Sequence, residues 1–174
     1  MNLRALFIFG EVRHLKFRNM TAIYLRRGEK LLLLYRMGSR VVGNSWTGSA
    51  GGHFEPDELN DPRACALREL REEIGLTESD IENLSLRYIT LRLKKGEVRQ
   101  NHYFFADLLP HVGELSSNEG RLEWFSAEET ADLPMPHSAR QMLEHYLSVG
   151  QPDDKLYCGT SLADGIDFVA MEEF

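Results

Sequence analysis

The chain has 174 residues, 43% of them apolar and 27% charged, with a formal net charge of −7. This is ordinary globular usage, enough for one domain with a sizeable core, and it excludes disorder through most of the length. The acidic balance gives no general pull on nucleic acid, so no nucleic-acid partner is expected, while a cation can still bridge carboxylates to a small phosphorylated substrate.

Residues 1–19 differ in character from the rest of the chain and read as an N-terminal arm, or as an upstream start before a natural beginning near Met20. Their apolar stretch, Leu3 and Ala5 to Phe9, is broken by Arg4 and is too short to span a bilayer. It also lacks a small-residue cleavage site, so neither a signal peptide nor a membrane partner is expected. Residues 21–27 and 30–36 read as strands joined by a turn at Gly28-Glu29. Leu31 to Leu34 is a continuous apolar run, as in a strand covered on both faces. Residues 37–46 read as a loop. Residues 48–52 are glycine-rich and must turn sharply or approach something closely.

Asp61-Pro62 is a helix start, with Asp as the N-cap and Pro in the first helical position. The helix runs to about Ile74, and Gly75 stops it. Residues 83–94 alternate as a strand whose apolar phase slips between Tyr88 and Ile89, which predicts a bulge there. Gly96 turns the chain into a strand over 98–108, and 122–125 form a short one. Ser126 caps a short helix with Glu128 and Glu129 in its first turn. Residues 137–147 are helical, with Met142, Leu143, Tyr146 and Leu147 on one stripe. The tail, 150–174, is predicted to hold a hairpin of 155–160 and 166–171 across Asp164-Gly165. It could add strands to a sheet edge or form a homodimer contact. Cys65 and Cys158 show no metal-type spacing, which fits a reducing, cytoplasmic setting.

The chemistry sits in the helix after Asp61. Glu69, Glu72 and Glu73 stand at i, i+3 and i+4 and share one face, while Leu67, Leu70 and Ile74 occupy the opposite side. One face anchors the helix; the other carries three carboxylates that repel one another. A hard divalent cation relieves that repulsion and takes oxygen ligands, including substrate phosphate oxygens. Three glutamates alone are more often a solvated acidic face.

The wider segment decides between them. Gly52 and Glu58, followed by Arg68-Glu69-Leu70-Arg71-Glu72-Glu73-Ile74-Gly75-Leu76, resemble the Nudix box, G-x5-E-x7-R-E-U-x-E-E-x-G-U, where U is a bulky aliphatic residue. One departure stands out. Nine residues, not seven, separate Glu58 from Arg68, and the extra pair falls at Leu59-Asn60, before the helix start. A loop can absorb it, but it puts the family's Glu58–Arg68 pairing in doubt.

The resemblance spans residues 20–149 and implies an α/β/α sandwich around a mixed sheet, here with a hairpin-like C-terminal extension over 150–174. It implies one or more Mg²⁺ or Mn²⁺ ions and attack of water on a phosphorus of a nucleoside diphosphate derivative. By position, Glu72 and Glu73 are the core metal ligands, Glu69 is a further ligand or the base, and the Gly51 carbonyl completes the set. Arg68 holds the carboxylates in place through Glu58 or Glu72, and Gly52 and Gly75 support the box. Glu119, ahead of Trp124, matches an outlying MutT-type metal ligand, and reads equally well as a solvated loop residue; Glu123 is a weaker match.

Arg36 and Arg40 flank the expected entrance and are candidates for phosphate, although solvated arginine is the commoner reading. Trp46 is a candidate for a base but as a large aromatic is more often core. His137 is a candidate for substrate near the last helix. His53 and His102 are weaker candidates. Pro136-His137-Ser138 replaces the asparagine with which MutT-type members read a base, which weakens an oxidised-guanine reading. The expected substrate is thus a nucleoside triphosphate, oxidised or not, a nucleotide sugar or a dinucleotide. A non-catalytic nucleotide-sensing module is the alternative, although such modules usually lose box glutamates.

Overall fold

The computed structural model describes residues 15–37, 44–162 and 164–173. Eight strands form one mixed sheet: β1 (Lys16–Arg27), β2 (Lys30–Arg36), β3 (Ser45–Thr47), β4 (Ile81–Lys94), β5 (Glu97–Leu108), β6 (Arg121–Phe125), β7 (Tyr157–Ser161) and β8 (Ile166–Ala170). Their order is β3-β2-β1-β5-β4-β7-β8, with β6 also paired to β2. Helix α1 (Pro62–Ile74) covers one face of the sheet and α2 (His137–His145) the other.

The alternation along β1 shows why two helical layers form. Ile23 and Leu25 pack with Leu32, Phe104, Ala66 and Leu70 on the α1 side. Tyr24 packs with Leu33, Phe105, Met142 and Leu143 on the α2 side. Leu31 to Leu34 therefore meet apolar neighbours above and below, which accounts for their unbroken run. The expected α/β/α sandwich is the observed fold.

Strand β1 begins at Lys16, earlier than the expected Thr21, so residues 16–19 belong to the sheet rather than to an arm. The signal was hidden because this stretch is half exposed and pairs in parallel with β5, from Lys16↔Glu97 to Arg26↔Asp107. The rest of the predicted arm, 1–14, and Arg40 lie outside the described residues.

The β4–β5 turn uses Lys95 and Gly96, both in the left-handed region. The β4 bulge falls between Leu86 and Tyr88, one residue before the predicted slip, and a second lies between Glu82 and Ser85. The residue squeezed out by the first is Arg87. Its buried guanidinium donates to the carbonyls of Gly150 and Lys155 at 2.7 and 2.9 Å and to Asp153 at 2.8 Å. That anchors the tail, whose predicted hairpin forms as β7 and β8; β7 adds in parallel to β4.

Helix α1 has the predicted ends. Asp61 accepts from the Ala64 N–H at 2.9 Å. Gly75 closes the helix at φ +81° and its N–H donates to the Arg71 carbonyl. A Gly75→Ala variant has open space for its methyl group but a strained backbone. It should lower stability by about 1 kcal/mol in urea melts.

Candidate active site

The site is assembled where the 48–52 loop, β2, α1 and the loop before β6 meet. Ser49 fixes the loop: its hydroxyl donates to the Leu32 carbonyl and accepts from the Leu25 N–H, at 2.6 and 2.9 Å. The Gly51 carbonyl is left facing Arg36. A Cβ at Gly51 would strike the Thr21 carbonyl, and one at Gly52 would strike the Glu69 carboxylate. Gly51 lets the loop lie against β1, and Gly52 lets it lie against the helix's acidic face.

Two arginines organise the carboxylates. Arg68 grips Glu58 through two bonds, Nε to Oε1 at 2.7 Å and Nη2 to Oε2 at 2.9 Å. Its Nη1 reaches Glu69 at 2.8 Å and Glu72 at 3.0 Å. The doubted Glu58–Arg68 pairing is therefore made, because Leu59 and Asn60 are taken up in an exposed loop. Arg36 gathers the second group: the Gly51 carbonyl at 2.9 Å, Glu73 in a direct ion pair, and Glu119 at 3.8 Å. Glu73 also accepts from the Gly51 N–H at 3.0 Å. Asn118, which the sequence did not single out, ties the Glu119 loop to the helix end, bonding to the carbonyls of Glu72 and Glu73.

The glutamates differ in environment. Arg68 holds the buried Glu58 carboxyl down at about 2, against an ordinary 4.5. Glu73 is pushed the other way by burial, with Arg36 and the Gly51 N–H pulling it back. Glu72 stays exposed.

The Glu58 shift has a measurable consequence. A carboxyl lowered in the folded state stabilises above its unfolded value, and that contribution fades as pH falls through the folded value. Glu58 is only 7% exposed, so the full shift counts, at about 3 kcal/mol. Urea melts should show this stability intact above pH 4.5 and fading towards pH 2. A Glu58→Gln variant should lose that part of the pH dependence.

Among the described residues, no three acidic, histidine or cysteine side chains converge closely enough to hold a metal as they stand; Arg68 and Arg36 occupy the space between them instead. The donors Arg36 collects are nevertheless all oxygens, drawn from a carbonyl and two carboxylates on three separate segments. That set fits a hard divalent cation.

Other predicted residues fall elsewhere. Trp46 is core, its ring 5.0 Å from that of Tyr35 and 4.7 Å from that of Phe125. His137 is exposed at the start of α2; its neighbours Pro136 and Ser138 line the cleft beside Gly51. His102 is buried against Phe54, and burial lowers its imidazole below the usual range. Cys65 is buried within α1.

The model of the NUDIX domain matches residues 16–146. The chain belongs to the Nudix family. Nudix enzymes hydrolyse diphosphate linkages of small phosphorylated nucleotides, generally with divalent cations, and this chain is a Nudix pyrophosphohydrolase, MutT-like in its structural neighbours. A mutator MutT protein from Bacillus halodurans shares 25% identity at TM-score 0.61, over 88% of this chain and 97% of that one. The ORF135 protein of E. coli shares 28% at 0.63, over 83% and 100%. A Nudix hydrolase from Nitrosomonas europaea, at 18% identity and TM-score 0.67 over 84% and 79%, shares the fold. Among curated proteins, none matches the chain. No helix among the described residues is long and apolar enough to cross a membrane.

Proposed function

We propose that this Nudix enzyme hydrolyses a diphosphate linkage in a nucleoside diphosphate derivative with Mg²⁺ or Mn²⁺ held by the Gly51 carbonyl, Glu73 and Glu119, with Glu69 and Glu72 beside them. The carrying observation is the convergence of Gly51, Glu73 and Glu119 on one cationic group, Arg36. Once bound, the cation neutralises diphosphate charge and lowers the pKa of water.

The protein's own part is positional. Arg68 fixes Glu69 and Glu72 from one side, with Glu58 fixing Arg68 in turn. Glu69, beside the Gly52 backbone, is the candidate base that takes a proton from the attacking water. Arg36, released from Glu73 and Glu119, is placed to hold a phosphate oxygen.

Nucleoside triphosphates, oxidised or not, nucleotide sugars and dinucleotides are the substrate classes to screen, with phosphate release compared in Mg²⁺ and in EDTA. Cation-dependent turnover of at least one class is expected. Tight binding with no turnover across the whole panel would overturn the reading. The two unpaired cysteines support a cytoplasmic setting. The family match, which ends at residue 146, supports a domain to about 149 followed by an extension over 150–174. Strand β8 has one edge without a partner among the described residues, and Val169 on it is exposed, which supports a homodimer contact.

A further inference from the structure

We propose that the cleft beside Gly51 takes a second anionic group, a phosphate or carboxylate carried by the organic half of the substrate, and holds it on Arg92 and Arg99. This rests on the diphosphate hydrolase reading and narrows its substrate class.

The strand register carries the inference. Arg18 of β1 pairs with Arg99 of β5, and Arg99 pairs with Arg92 of β4. Residues directly opposite across strands share a face, so three guanidinium groups stand in one row. Like charges in that arrangement destabilise a sheet. Glu97 offsets part of the row, accepting from Arg99 at 2.6 Å and facing Arg18 at 3.6 Å. Among the described residues Arg92 has no ion pair or hydrogen bond, and its Nε is buried without a partner.

Arg92 and Arg99 line the same cleft as Arg36 and Gly51. So do Thr21, Tyr24 and Ser138, each buried, each with a hydroxyl that has no partner among the described residues. Unpartnered buried polar groups are costly and rare in a folded protein. Guanidinium groups donate and never accept. A ligand that answers Arg92 and Arg99 is rich in acceptors, and negative charge answers the unpaired Arg92.

Calorimetry in EDTA tests the wall apart from turnover. The probes are twins that differ in one distal group: adenosine 2′,5′- and 3′,5′-bisphosphate against AMP, and UDP-glucuronate against UDP-glucose. At least one anionic twin should bind about 10-fold tighter than its partner. The bisphosphates and the glucuronate tell phosphate from carboxylate. Arg92→Gln should close the gap, and Arg92→Lys should keep part of it. If Arg92→Gln melts early, Arg99→Gln reads the same gap. Equal affinities throughout, or a gap untouched in Arg92→Gln or its Arg99→Gln stand-in, would overturn the proposal. Turnover in Mg²⁺ of NAD against NADP, and of dephospho-coenzyme A against coenzyme A, separates the two readings. A calorimetric gap with no turnover supports the anion site and counts against the hydrolase reading. Turnover of both twins with no gap does the reverse.

Discussion

Glu73→Gln should lower kcat/KM by about 10²-fold or more, with the fold kept at a modest cost in stability. Both carboxylate oxygens of Glu73 are committed, one to Arg36 and the other to the Gly51 N–H at 3.0 Å. An amide turns one acceptor into a donor and removes the charge the reaction needs. Burial already raises this carboxyl, so the charged form is held at a cost in the free enzyme. The raised carboxyl limits what a neutral isostere loses, but the new donor faces Arg36 or the Gly51 N–H, so the variant should melt about 1–3 kcal/mol below the parent. Steady-state kinetics on the best substrate, set beside urea melts, separates the two effects. Full activity in Glu73→Gln would remove Glu73 from the proposed ligand set.

Arg87→Met should destabilise the protein by about 3 kcal/mol. The methionine can fill much of the volume, but it strands the carbonyls of Gly150 and Lys155 and leaves Asp153 without its guanidinium. The Tyr157 hydroxyl would still reach Asp153 at 2.7 Å, so part of the tail stays tethered. Denaturant melts give the overall loss. Hydrogen exchange should place the earliest opening in β7 and β8. A loss below about 1 kcal/mol would mean that water replaces the guanidinium at little cost. Ending the chain at Gly150 would remove β7, one of the two strands paired with β4, together with two of the three acceptors of Arg87. That change tests the fold as well as the oligomeric state.

Local chemistry made α1 readable: Asp61-Pro62 and Gly75 mark its ends without reference to the rest of the chain. The acidic face was equally plain. How the carboxylates would be divided was not, because Arg36 comes from a strand 37 positions before Glu73. The bulge in β4 left a trace in the apolar phase, but phase alone cannot say which residue is extruded, and a buried Arg87 is not what polarity suggests. Residue type alone leaves Trp46 between core and base contact and His137 open to substrate; tertiary packing puts the first in the core and the second in solvent. The arginine row was half legible. A turn at Gly96 sets Arg92 opposite Arg99, but only the parallel pairing of β1 adds Arg18, and only the fold shows that the row borders a cleft.

The parallel pairing of β1 with β5 also governs how the chain must be made. Met20 meets Asn101, so β1 leaves the ribosome long before its neighbour exists. Until then one edge of β1 has only solvent or another molecule to bond. Distant pairing of this kind slows folding towards the millisecond-to-second range and lengthens the time spent vulnerable to aggregation. Lys16 and Arg18, at the start of that waiting edge, are the kind of charges that discourage a wrong neighbour.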